Sequence, residues 1–131
     1  MADITPKVAR MIDANINRCK EGLRVVEDIY RFVYDDKDTA ATLKELRHEA
    51  TAKQYLEFLP YRDIIGDVGK ATTESEQNRT DLNALVISNL KRAQESARVL
   101  EESFKLIDTI QSQTYKTLRY KLYDIELLQS K

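Results

Sequence analysis

The chain has 131 residues and a formal net charge of −1, so its total charge offers no field for holding nucleic acid or an anionic membrane. Hydrophobic residues make up 42% and charged residues 33%, with three glycines, two prolines and no tryptophan, which excludes a disordered or fibrous chain and suits a soluble helical one. No run approaches the roughly 18 apolar residues of a membrane span, Met1 to Lys7 lack the apolar stretch of a signal peptide, and the lone Cys19 cannot form an internal disulfide, so the expected location is cytoplasmic.

In chain order, Thr5-Pro6 reads as an N-cap followed by proline at the first helical position, starting a helix near Pro6 that runs to about Tyr34. Ile12, Ile16, Cys19, Leu23, Val26, Tyr30 and Val33 recur at helical spacing, and Met11, Asn15, Arg18, Gly22, Val25, Ile29 and Phe32 form a second seam beside them. A face this wide predicts a central helix, with Cys19 as a small core residue. Asp35-Asp36-Lys37-Asp38 is a polar turn, after which Leu43, Leu46 and Ala50 mark a second helix to about Phe58, where Pro60 stops it. From Pro60 to Thr80 the apolar period disappears and Gly66 and Gly69 fall close together, which predicts one long loop over 60–79. Thr80-Asp81 caps a third helix to about Leu106, and Tyr115, Leu118, Leu122 and Ile125 set the inner face of a fourth.

The third helix repeats the first. Without a gap, Asn15 pairs with Asn89, Arg18 with Arg92, Glu21 with Glu95, Arg24 with Arg98, Val25 with Val99 and Glu27 with Glu101. A weaker match follows in each half, Thr42-x-Lys44-x-Leu46-Arg47 answering Thr114-x-Lys116-x-Leu118-Arg119. The expected fold is therefore all-α: one domain of 1–131, an antiparallel four-helix bundle made of two repeated helical hairpins, 6–59 and 80–131, with a long central loop.

Asn15, Arg18 and Gly22 interrupt the apolar face of the first helix, and Asn89, Arg92, Ser96 and Ser103 that of the third. Burying an amide or guanidinium costs several kcal/mol unless it is paired. Two readings follow: an internal network that fixes helix register, or two cassettes facing each other across one cleft, where arginines bind phosphate and a carboxylate holds magnesium. The loop repeats that chemistry in Arg62-Asp63 and Gly66-Asp67-x-Gly69, where glycines allow close backbone approach. Neither standard nucleotide-binding glycine motif is present. The sole histidine, His48, reads as a surface group, Tyr115, Tyr120 and Tyr123 as packing groups with a wet end, and Lys116, Arg119 and Lys121 as a solvated face.

Asp13-Ala14-Asn15-x-x-Arg18-x-x-Glu21-Gly22-Leu23-Arg24-Val25-Val26-Glu27, Leu46-Arg47, Arg62-Asp63-x-x-Gly66-Asp67-x-Gly69 and Asn89-x-x-Arg92-x-x-Glu95-x-x-Arg98-Val99-Leu100-Glu101-Glu102 together resemble the small hydroxymethylpyrimidine-phosphate kinase family of thiamine biosynthesis, from about Val8 to Glu126. The chain departs from it where Lys70 follows Gly69 and Ser88 precedes Asn89. The resemblance implies a stand-alone form of a domain often fused ahead of thiamine-phosphate synthase, transferring the γ-phosphate of ATP to a pyrimidine phosphate with Mg2+. An alternative is a non-catalytic accessory bundle that binds a thiamine precursor or the synthase. On the matched motifs, Arg18, Glu21, Arg62, Asp63, Asp67, Arg92 and Glu95 are the catalytic candidates. Glu21, Asp63, Asp67 and Glu95 compete for the metal. Asn15, Arg24, Arg47, Gly66, Gly69, Asn89 and Arg98 are the substrate-binding candidates, with Arg24, Glu27, Arg98 and Glu101 alternatively forming supporting ion pairs. The expected partners are the pyrimidine phosphate, ATP and the synthase, without nucleic acid or membrane, in a cleft within one chain or across a homodimer.

Overall fold

The computed structural model describes residues 5–52, 54–70 and 81–131. Helix α1 spans Pro6–Phe32, α2 Lys37–Glu49, α3 Tyr55–Phe58, α4 Leu82–Phe104 and α5 Thr109–Leu127, with 3-10 turns at Leu59–Tyr61 and Leu128–Ser130. No strand occurs among the described residues. The all-α expectation holds, and the four long helices form the bundle: α1 packs on α4, α2 on α1 and α5 on α4, with α2 and α5 meeting lightly.

Each of the four long helices starts at a side-chain cap. The Thr5 hydroxyl accepts the Val8 N–H, the Asp36 carboxylate that of Thr39, Asp81 that of Ala84 and Asp108 those of Ile110 and Gln111. Thr80, expected to share the third cap, and 71–79 of the expected loop lie outside the described residues. Helix α1 stops at Phe32, slightly earlier than expected, and Asp35 takes a left-handed φ of 53°, a conformation that aspartate tolerates better than most residues.

The second helix does not run unbroken to Phe58. It ends at Glu49, the Thr51 N–H turns back to the Glu49 carbonyl at 2.8 Å, and the chain restarts as α3. The reason lies in the spacing of Ala50, Ala52 and Phe58, all buried, which no single helical face can present to one core. The break brings the Phe58 ring within 6.2 Å of Phe104, which stacks in turn on Tyr115 at 5.6 Å.

The inner seam is buried as its period requires: Ile12, Ile16, Cys19, Leu23, Val26 and Tyr30 from α1 meet Val86, Leu90, Ala93, Ala97, Leu100 and Phe104 from α4, although Val33 is exposed. The second seam is buried only in part. Met11, Val25 and Phe32 remain exposed, so the apolar face of α1 is narrower than its sequence suggests. At Gly22 α1 approaches α4 closely: an added Cβ would stand 2.9 Å from the backbone oxygen of Asn89.

Most of the polar residues that interrupt the inner seams are satisfied by their own helix. The side-chain amides of Asn15 and Asn89 donate to the carbonyls of Met11 and Leu85 at 2.8 and 2.9 Å, and the hydroxyls of Ser96 and Ser103 donate to those of Arg92 and Val99. Two buried ion pairs then obey the repeat. Arg47 Nε donates to Glu27 at 2.8 Å, and Arg119 Nη2 donates to Glu101 at 2.8 Å, each tying the outer helix of a hairpin to its inner one. Arg119, read from sequence as a solvated residue, is thus a half-buried partner of Glu101. Tyr115 has no wet end: it is fully buried, and among the described residues its hydroxyl lacks a hydrogen-bond partner.

Two outcomes follow from this packing. Gly22→Ala gains about 1 kcal/mol of helix propensity but must push α4 away, and urea denaturation is expected to show a net loss of roughly 1–2 kcal/mol. Burial pushes the Cys19 thiol from 9.0 up to about 12. Its neutral form is therefore favoured by folding, a contribution fully present below pH 9 and lost as the pH rises toward 12. Stability measured across that window should fall with rising pH, and the component beginning near pH 9 should be absent in Cys19→Ala.

Candidate functional site

A cleft of about 600 Å3 lies along the outer surface of α1, bounded on one side by the segment that follows the 3-10 turn. Helix α1 supplies Lys7, Arg10, Met11, Ala14, Arg18 and Glu21 at successive helical turns, with Asp13, Asn15 and Asn17 beside them. The loop contributes Arg62, Asp63, Ile64 and Asp67. The cleft is large enough for a heterocycle carrying a phosphate.

The loop is held to α1 by one buried contact. The Asp13 carboxylate, 2% exposed, accepts from Arg62 Nε at 2.7 Å and from Nη2 at 2.9 Å, the forked geometry that guanidinium and carboxylate share. That hydrogen bond, followed by one to the Tyr55 hydroxyl, holds the Arg62 guanidinium above its already high ordinary range, so it is a permanent cation. Arg10 Nη2 adds a second tie to the Asp63 carbonyl at 3.3 Å. Within the loop, the Asp63 carboxylate accepts the Gly66 N–H at 2.7 Å and Asp67 accepts that of Gly69 at 3.0 Å, two turns closed by aspartate side chains. A Cβ at 66 would collide with the Asp63 carboxylate, which would have to shift out of its hydrogen bond to the Gly66 N–H to admit one.

The charges of the cleft balance in number, Lys7, Arg10, Arg18 and Arg62 against Asp13, Glu21, Asp63 and Asp67. They do not balance in availability. Asp13 is spent on Arg62, and Asp63 and Asp67 each hold a backbone amide. Lys7, Arg10 and Arg18 form no ion pair among the described residues, nor does Glu21.

Of the residues singled out in sequence, Asn15, Arg18, Glu21, Arg62, Asp63 and Asp67 come together here. Gly66 and Gly69 shape the loop without lining the cleft. Asn89, Arg92 and Glu95 of the second cassette do not line it, so within one chain the two cassettes do not line this cleft together. Arg47 is bound to Glu27, Arg24 lies 3.4 Å from Asp28 and Arg98 3.0 Å from Glu102, and none of the three lines this cleft. Of the four candidates for the metal, Glu95 does not line the cleft, and among the described residues no group of three His, Cys, Asp or Glu side chains is close enough to hold a metal ion. Sequence reasoning passed over Lys7, Arg10, Asp13 and Asn17. Their signal was present, because Lys7, Arg10, Asp13 and Asn17 run at spacings of three and four beside Arg18.

The ThiD2 family profile matches residues 10–128. The chain belongs to the ThiD2 family. It is 41% identical over 120 residues to a protein of a Synechocystis species named thiamine-phosphate synthase, covering 91% of this chain and 35% of that protein. Proteins of the same name from Thermosynechococcus vestitus and a Synechococcus species are 40% and 38% identical, covering 92% and 93% of this chain and 34% and 35% of their own. The chain thus spans about a third of the length of these curated relatives. No solved structure matches it significantly. The kinase expectation is corrected by these relatives, whose name is thiamine-phosphate synthase and not hydroxymethylpyrimidine-phosphate kinase. Among the described residues no helix is long and apolar enough to cross a membrane.

The loop geometry generates a direct test. Asp63→Ala removes the acceptor that closes the turn on Gly66, so amide exchange at Gly66 and trypsin cleavage after Arg62 or Lys70 should accelerate while far-UV circular dichroism stays unchanged. Unchanged exchange and cleavage would show that the turn does not depend on that carboxylate.

Proposed function

We propose that this ThiD2 chain binds a phosphorylated compound of thiamine biosynthesis in the α1 cleft and works beside a thiamine-phosphate synthase. The observation that supports this reading is the set of three cations on one helix face, Lys7, Arg10 and Arg18, without an ion-pair partner among the described residues and next to the forked donor Arg62. Guanidinium and ammonium donors concentrated on one side of a cleft suit the oxygens of a phosphate. Glu21 and the Asn17 amide suit a donor or a positive charge elsewhere on the ligand. Thiamine phosphate, the compound in the relatives' name, carries both kinds of group and is the probe of choice.

Calorimetric titration with thiamine phosphate and with thiamine tests the reading. The phosphorylated compound is expected to bind at least about 10-fold more tightly, because a hydrogen bond to a charged group contributes about 1.5–3 kcal/mol. Arg18→Ala should weaken that binding by about 10-fold or more and leave binding of thiamine unchanged. Equal affinity for the two compounds, or none for either, would overturn the phosphate reading. ATP with Mg2+ enters the same titration as a competitor, and displacement of thiamine phosphate by it would assign the cations to a nucleotide. Co-migration with a thiamine-phosphate synthase tests the partnership.

A further inference from the structure

The three buried guanidinium–carboxylate pairs among the described residues are not alike. Glu27–Arg47 and Glu101–Arg119 occupy equivalent places in the two halves, and each joins neighbouring long helices. They are what a duplicated hairpin needs for its own stability. The third pair, Asp13–Arg62, has no copy: the repeat that aligns Asn15 with Asn89 places Ile87 opposite Asp13. It ties a loop to a helix, and it lies in the wall of the cleft.

The chemistry of the pair follows from its geometry. Asp13 takes Nε and Nη2 of Arg62, two of the five N–H donors of a guanidinium. The Arg62 side chain is 34% exposed against 2% for Asp13, so one edge of the guanidinium is buried on the carboxylate and, apart from the donor taken by the Tyr55 hydroxyl, the remainder is open beside the cleft. A free arginine must give up rotamer freedom to meet a ligand, and one already held by a buried acceptor gives up little. We infer that Asp13 is a positioning residue for the α1 cleft: it holds Arg62 side-on, so that the open guanidinium edge and the 63–67 loop stand ready for the phosphate of the ligand. The inference rests on the reading of the cleft as a phosphate site.

The experiment titrates thiamine phosphate into wild-type protein, Asp13→Asn, Arg62→Lys, the double variant and, as an internal control, Glu27→Gln, with helicity followed by circular dichroism. Asp13→Asn and Arg62→Lys should each weaken binding by about 10-fold, the scale on which residues that orient a ligand-binding group act. The double variant should bind no worse than the weaker single one, because both changes break the same unit. Glu27→Gln should lower the melting temperature and leave affinity unchanged, which a merely structural role for Asp13 would mimic. Wild-type affinity in helical Asp13→Asn, or losses that add in the double variant, would overturn the positioning role while leaving the phosphate reading intact. If Asp13→Asn does not fold, Arg62→Lys decides alone, since it keeps a cation beside Asp13 but cannot reproduce the fork. A wild-type protein that binds no thiamine phosphate removes the phosphate reading and the positioning role together.

Discussion

Everything in the bundle is arranged around the approach of α1 to α4 at Gly22. With no side chain at that position, the backbone of α4 at Asn89 comes to within the space a Cβ would fill, and the two longest helices share one seam of Ile, Leu, Val and Ala. Helices this close cannot hold long polar groups between them. The residues that break the apolar seams are accordingly short, and Asn15, Asn89, Ser96 and Ser103 turn back onto carbonyls of their own helix. Longer groups are pushed outward, so Arg18, Glu21, Arg92 and Glu95 are exposed.

Duplication accounts for the stability of the frame and its failure accounts for the candidate site. Where the halves agree, a carboxylate on the inner helix meets an arginine on the outer one, Glu27 with Arg47 and Glu101 with Arg119. Removing one member of such a pair leaves a buried charge, so both must be retained together. Where the halves differ, Asp13 stands in place of the apolar residue that the other helix has at Ile87, and it captures Arg62 from the connecting segment. That exchange of one apolar residue for one carboxylate gives α1 a cleft lined by Lys7, Arg10, Arg18 and the loop.

Much of this was legible before any coordinates. The capping residues Thr5, Asp36 and Asp81 mark helix starts because a side-chain oxygen two or three residues ahead of unpaired amides is a local device, and Asp108, which the sequence reading passed over, caps the last long helix in the same way. The inner seam was legible for the same reason, since a period of three and four residues is a property of the chain itself. What escaped was non-local. Arg47 and Arg119 look like exposed helix residues until the neighbouring helix places Glu27 and Glu101 opposite them. The break after Glu49 was hidden because alanines are good helix formers, and only burial of Ala50, Ala52 and Phe58 in one core forces the turn.

By itself the sequence determined the all-helical class, the starts of the first three long helices, the internal repeat and the presence of a charged loop at 62–69, because each depends on residues near one another in the chain. The tertiary structure decided which charges are spent and which are free. A guanidinium in the cassette carries the same charge at Arg18, Arg47 or Arg62, and only a carboxylate brought within about 3 Å from another segment distinguishes a structural pair from an available donor. For that reason the two cassettes, identical in pattern, are not equivalent in the folded protein: Arg18 lies in a cleft walled by the Arg62 loop, and Arg92 does not.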